Sequence, residues 1–214
     1  MNKSKEKEKD RKLTKAEQSR KIEFENLKMR LEEEGYQSYN LTIGIVYANI
    51  MAFILAIPII LPLWVAFSKR NYSLNGVFEG LDVFLFLAIF AVLIVAHEII
   101  HGIFWGIFAK EHWKSISFGF IMKYLTPYCN CKEPLKKSEY IIGALMPTII
   151  LGIIPCFVAI FIGSAMLFML GAIMILGGGG DLTIILKLLF YHSDKKDTIY
   201  IDHPYKLGLV AFVR

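Results

Sequence analysis

Cysteine is scarce in this chain of 214 residues, and Cys129, Cys131 and Cys156 do not have the spacing of a disulfide framework. A reducing compartment is therefore the default expectation for these thiols. Charged residues are also few, at 20% of the sequence against 55% hydrophobic residues, and the mean hydropathy is +0.49. This balance excludes an ordinary soluble domain and is typical of one compact membrane domain.

The chain lacks the large excess of basic residues that indicates nucleic-acid binding. Its net charge is only +5, and its lysines and arginines collect in the N-terminal segment, in residues 110–137 and after Lys187. Such clustering is typical of the segments at the inner face of a membrane. We therefore expect the lipid bilayer to be a partner of this protein, and no nucleic acid.

No secretory signal is expected, because the first apolar run begins only near Leu41. Four apolar stretches follow, each about long enough to cross the ~30 Å hydrocarbon core of a bilayer as a helix. They run from Leu41 to Phe67, from Leu81 to Phe108, from Tyr140 to Ile162 and from Ala165 to Phe190. The sequence thus predicts an all-α membrane protein, built as a four-transmembrane-helix bundle within residues 41–190.

Residues 1–40 are predicted to form a charged cytoplasmic N-terminal segment, and residues 191–214 a cytoplasmic C-terminal tail. The distribution of basic residues places both termini in the cytoplasm, and the composition suits a bacterial cell membrane. Thr14 and Glu17 have the spacing of a capping box, which predicts a helix over residues 14–34. Residues 1–12 are expected to be a solvated, partly disordered tail.

The second apolar stretch contains the sequence His97-Glu98-Ile99-Ile100-His101. Residues four apart lie on the same face of a helix, so the two histidines can offer two imidazole nitrogens to one cation. Glu98 lies beside them and can take a proton from a water on that cation, which is the chemistry of the HExxH zinc hydrolases. The metzincin subclass is excluded, because Phe104 and Ile107 replace its later glycine and histidine.

A hydrolytic zinc site usually has three protein ligands, so the two histidines need a third. Asp181 is the acidic residue of the fourth stretch, and it lies as far from Ala165 as His97 lies from Leu81. The two predicted helices run in the same direction, so these side chains can meet at one depth. The preceding Gly177–Gly180 can allow close approach of the backbone, or unwinding of the helix, next to the metal; the alternative is ordinary helix packing. The rival ligands are Glu111, His112, Glu133, Glu139, His192, Asp202 and His203, with Glu139 and His192 nearest a membrane edge.

The loop between the second and third stretches has strand periodicity. Apolar residues recur at every second position, at Ile116, Phe118, Phe120, Met122 and Tyr124. We therefore expect a small cytoplasmic β-hairpin or strand between the second and third transmembrane helices. Two roles stay open for it, namely addition of an extended substrate to its free edge and structural cover at the membrane surface. The nearby Cys129-Asn130-Cys131 is only a weak signal of a soft-metal site.

Two sequences in this chain, HEIIHG in the second stretch and GGGGDL in the fourth, resemble a bacterial family of integral membrane HExxH proteins, the zincin peptidases of unknown function. The resemblance covers about residues 35–210. More distantly, the chain is similar to the site-2 intramembrane metalloproteases. The resemblance implies that His97, His101 and Asp181 bind Zn²⁺ and that Glu98 is the general base.

The sequence therefore predicts a membrane-embedded zinc metallopeptidase that hydrolyses peptide bonds of membrane or membrane-proximal substrates by metal-activated water. An alternative is a membrane protein that binds or transports a metal ion without hydrolysis, or an inactive protease-like scaffold. A peptide or membrane-protein substrate is the expected partner, and the oligomeric state stays open.

Overall fold

The structure is a computed structural model, and it describes residues 13–70, 81–121, 126–195 and 197–214. The described chain is mostly helical, with two small sheets. Its elements are α1 (Lys15–Glu33), β1 (Gln37–Asn40), α2 (Ile45–Ser68), α3 (Leu81–Phe108), β2 (Ile116–Ile121), β3 (Thr126–Cys131), α4 (Lys137–Pro147), α5 (Ile154–Ile162), α6 (Ala165–Gly177), α7 (Gly179–Phe190), β4 (Thr198–Asp202) and β5 (Leu209–Val213). A 3₁₀ turn (His112–Ser115) precedes β2, and a π-helical segment (Thr148–Ile153) joins α4 to α5.

The N-terminal helix α1 begins at the predicted capping box. The Thr14 hydroxyl accepts a hydrogen bond from the Glu17 N–H at 3.2 Å, and the Glu17 carboxylate accepts one from the Thr14 N–H at 2.8 Å. Phe24, Leu27 and Leu31 pack against the sheet that contains β4 and β5. The helix predicted over residues 14–34 is confirmed, while the tail predicted for residues 1–12 lies outside the described residues.

Three helical segments of the described chain are long and apolar enough to cross a membrane. They are Ile45–Ser68, Asp82–Phe108 and the continuous segment Lys137–Ile162. Large apolar side chains such as Phe53, Phe84 and Val92 are more than half exposed on the outward faces, as expected of helices that contact lipid. These features identify a membrane protein.

The fourth predicted span is not one straight helix. α6 and α7 are long and apolar enough to cross a membrane only when taken together, and their axes are bent by 45° at the break around Gly178. A Cβ atom on Gly178 would overlap the Thr148 hydroxyl, and one on Gly179 would overlap Ala52 of α2. Glycine is therefore needed at these two positions for close packing, whereas a Cβ atom on Gly177 or Gly180 would meet no atom within 4 Å.

The chain ends form a three-stranded antiparallel sheet that the sequence pattern did not predict. The strand order is β1-β5-β4, with Gln37 opposite Val213 and Thr198 also opposite Val213. The all-α prediction is thus correct for the membrane helices and incomplete for the termini. The predicted divisions at residues 40 and 190, and the four-span bundle, stay predictions.

The predicted strand between α3 and α4 is confirmed as the first strand of a hairpin. β2 pairs antiparallel with β3, with Ile116 opposite Cys131 and Ile121 opposite Thr126. The predicted strand positions Met122 and Tyr124 lie outside the described residues. Phe118 lies against Gly102 of α3, where an added Cβ would be 2.7 Å from its ring, so the hairpin packs closely beside the HExxH turn.

Candidate metal centre

The two histidines of the motif lie one turn apart on the inward face of α3. Their ring centroids are 4.8 Å apart, with the rings nearly perpendicular. His97 is 7% exposed and His101 is 3% exposed, so both imidazoles are shielded from bulk solvent. Trp105 continues the same face at the next four-residue step, and its indole stacks on His101 with centroids 4.8 Å apart.

Asp181 approaches these histidines from the first turn of α7, just beyond the helix break. One carboxylate oxygen, Oδ2, lies 3.2 Å from Nε2 of His97 and 3.4 Å from Nε2 of His101. Candidate donor atoms of the three residues all lie within 4.8 Å of one another. The structure therefore brings together the three residues that the sequence singled out as ligands; ligation itself stays a prediction.

The donor set fits a zinc ion. Two neutral imidazoles and one carboxylate are a ligand combination of catalytic zinc sites, which keep a fourth position open. Nδ1 of His101 lies 2.9 Å from the Gly143 carbonyl oxygen, so that nitrogen donates and the Nε2 lone pair faces Asp181. Nδ1 of His97 is buried and has no hydrogen-bond partner among the described residues.

Residues of α4 hold His101 and Trp105 in place. The Trp105 indole N–H donates to the Tyr140 carbonyl at 3.1 Å, and the Tyr140 ring packs at 5.3 Å from the indole. Gly143 follows Tyr140 by about one turn, and a Cβ there would overlap the indole. Sequence reasoning missed this support, although the four-residue spacing of His97, His101 and Trp105 is a signal that could have found the tryptophan.

Glu98 lies half-buried on α3, and Cys129 on β3 lies beside its carboxylate. The N–H of Cys131, on the same outer edge of β3, donates to the Asp202 carboxylate at 2.8 Å, and Pro127 has no N–H. The Cys131 donor of this edge is thus in use, and Cys129 faces α3 at Glu98 rather than a free groove. Of the two roles left open for the hairpin, this arrangement favours structural cover and positioning of Glu98 over addition of a substrate strand to β3.

In a comparison with known protein families, residues 90–195 match a family described as "putative zincin peptidase". This segment, just under half of the chain, is similar to that family. It contains His97, Glu98, His101 and Asp181, and it is shorter than the expected 35–210, leaving α1, β1, α2, β4 and β5 outside. No curated protein and no solved structure matches the chain. The resemblance to the family is confirmed, while the similarity to site-2 proteases stays a prediction.

The rival ligands lie elsewhere in the chain. Within the described ranges, His97, His101 and Asp181 are the only set of three or more His, Cys, Asp or Glu side chains arranged to hold a metal. Glu139 accepts from the Lys136 N–H at the start of α4, and His192 is exposed. The remaining rivals, Glu111, His112, Glu133, Asp202 and His203, are likewise outside the set.

The thiols of β3 are poor candidates for a second metal site. Cys129 and Cys131 are free, and neither is part of the metal-binding set. Burial raises the pKa of the Cys131 thiol to about 12 and that of Cys129 further still. In the absence of a metal, burial therefore favours the protonated thiol over the thiolate, the form that binds metal.

Asp202 gives a measurable pH dependence of stability. Burial raises the pKa of this carboxyl from 3.8 to about 6 in the folded protein. The folded state therefore holds the proton more tightly than the unfolded state, so this group's stabilisation is full below about pH 4 and is lost as the pH rises through 6. For zinc-free protein, we expect the Tm of wild type minus that of Asp202→Asn to increase from pH 8 to pH 5. A difference that is constant over this range would contradict the assignment.

Proposed function

We propose that this chain is an integral-membrane zinc peptidase that hydrolyses peptide bonds of membrane or membrane-proximal substrates. The observation that carries the proposal is the convergence of two imidazole nitrogens and one carboxylate oxygen, from α3 and α7, beside Glu98. The match of residues 90–195 to the zincin peptidase family supports the same class of chemistry. His97, His101 and Asp181 are the proposed ligands of the ion.

A zinc ion bound there supplies a Lewis acid that polarises a peptide carbonyl and lowers the pKa of a bound water to about 7. The Glu98 carboxylate takes the proton of the attacking water as the new C–O bond forms. It then gives that proton to the nitrogen of the leaving amine as the C–N bond breaks. Cys129 of β3 lies beside this carboxylate.

The proposed setting is a four-span arrangement with both termini in the cytoplasm. It is supported by three helices of spanning length, by the bent pair α6 and α7 as a fourth, and by the clustering of basic residues. α3 and α7 then run in the same direction, which accounts for the meeting of His97 and Asp181 at one depth. Water and substrate enter from the cytoplasmic side, where the β2–β3 hairpin packs beside α3.

The test uses the full chain purified in detergent and reconstituted in phospholipid vesicles. We expect about one zinc per chain, and cleavage of fluorescein-labelled casein or of a tagged single-span membrane protein. Cleavage should stop on chelation and return with added zinc. Stoichiometric zinc without cleavage of either probe would contradict the peptidase and favour the non-hydrolytic metal-binding or transport alternative. Absence of zinc would contradict both.

A further inference from the structure

We infer that Asp202 is a positioning residue for the metal centre, holding α4 and β3 together so that His101 and Glu98 keep their relative placement. The inference rests on the proposed zinc site and adds a residue that lies outside the family match at residues 90–195. Asp202 ends β4, in the C-terminal sheet, and is 9% exposed. Buried carboxylates are rare in proteins unless they are paired or hydrogen-bonded, so its partners indicate its role.

Each oxygen of this carboxylate accepts a hydrogen bond from a different element. Oδ1 accepts from the Tyr140 hydroxyl of α4 at 2.6 Å, and Oδ2 accepts from the Cys131 N–H of β3 at 2.8 Å. Tyr140 is 2% exposed and Cys131 is 1% exposed, so neither donor has bulk water as a replacement partner. Loss of the carboxylate would leave two buried donors unpaired and would release α4 from β3.

The α4 side of this link leads to His101. The Tyr140 carbonyl accepts from Trp105, whose indole lies flat on the His101 ring, and the Gly143 carbonyl bonds Nδ1 of the same imidazole. A small displacement of α4 therefore changes the direction in which Nε2 of His101 points. Groups that orient a metal-ligating histidine in this way typically contribute about 10- to 100-fold in metal affinity.

The β3 side of the link leads to Glu98. Cys131 and Cys129 are on the same edge of β3, and Cys129 lies beside the Glu98 carboxylate. Asp202 thus joins the element that orients a proposed ligand to the element that positions the proposed base. The alternative is that Asp202 only stabilises the core between the C-terminal sheet and α4, which would leave the metal centre unaffected in a folded variant.

The experiment compares two variants of this link with two matched controls in the full chain. Tyr140→Phe removes one hydroxyl and keeps the ring, and Asp202→Ala removes both acceptors. The controls are Tyr36→Phe and Asp197→Ala, because the Tyr36 hydroxyl also donates to a carboxylate next to β4, that of Asp197, whose other side-chain partner is Arg214 near the C-terminus. Zinc affinity is measured by competition with a chelator, and ligand geometry by the visible absorption of the cobalt(II)-substituted protein.

We expect zinc affinity to fall about 10-fold or more in Tyr140→Phe and Asp202→Ala, with an altered cobalt spectrum, and to be unchanged in both controls. Asp202→Asn should restore affinity to within about 2-fold of wild type, because its amide can accept from Cys131 and donate to the Tyr140 oxygen.

Wild-type affinity and an unchanged spectrum in folded Tyr140→Phe and Asp202→Ala would overturn the inference alone. The inference would also be overturned if Asp202→Ala failed to fold while Tyr140→Phe had the same zinc affinity and cobalt spectrum as the control Tyr36→Phe. Asp202 would then stabilise only the core. A wild-type chain that binds no zinc would overturn both this inference and the proposed function, so the two failures are distinguishable.

Discussion

Replacing Glu98 with glutamine should leave zinc binding intact and lower the rate of peptide hydrolysis by at least about 100-fold, since general acid–base groups contribute about 10²–10⁴-fold. Glutamine has nearly the same shape and can occupy the same position beside Cys129 of β3. It cannot take up the proton of the attacking water. Cleavage of the tagged membrane protein and zinc content are measured on the same preparation.

The matched control is Glu111→Gln, because Glu111 is an exposed carboxylate that follows α3 and is outside the metal-binding set. Its rate and zinc content should equal those of wild type. Hydrolysis that continues unchanged in Glu98→Gln would contradict the role of Glu98 and, with it, the mechanism proposed for this site. Loss of zinc in Glu98→Gln would show instead that Glu98 helps to bind the metal.

Much of the candidate site could be predicted from sequence because its signals are local. The four-residue step from His97 to His101 places both rings on one face of any helix. Asp181 could be found because a carboxylate inside an apolar stretch is rarely tolerated without a partner. In addition, Asp181 and His97 lie at the same distance from the starts of their predicted membrane helices, which suggested that they meet. The helix from Lys15 to Glu33 begins at a capping box, a signal that is contained in the four residues from Thr14 to Glu17.

The features that sequence reasoning missed depend on contacts between distant residues. β1 pairs with β5, so that Gln37 near the N-terminal end of the chain lies opposite Val213 near the C-terminal end. No local periodicity in the sequence specifies a pairing between such distant segments. The four glycines at 177–180 are compatible with a bend at Gly178, but they do not specify one. Glycine is also common in straight helices that pack closely against each other. The sequence indicated Asp202 only as a rival metal ligand. Its hydrogen-bond partners, Tyr140 on α4 and Cys131 on β3, could not be predicted from sequence spacing.

Replacing Asp181 with alanine should weaken zinc binding by more than about 100-fold, because it removes one of three proposed ligands, a larger change than the loss of a group that only orients a ligand. The two histidines would remain on α3, since their placement depends on the helix and on Gly143 rather than on α7. Hydrolysis should fall with zinc occupancy. Zinc affinity measured by chelator competition, before any activity assay, gives the direct result.

Asp82→Ala is the matched control, because Asp82 is likewise an acidic residue in the first turn of a helix, α3, but is exposed and outside the metal-binding set. It should bind zinc like wild type. Asp181→Asn separates charge from shape, since the amide oxygen is a weaker ligand and the variant should bind zinc less tightly than wild type. Wild-type zinc affinity in Asp181→Ala would contradict the three-ligand site, because the nearness of Asp181 to both imidazoles would then reflect only ion pairing with the histidines.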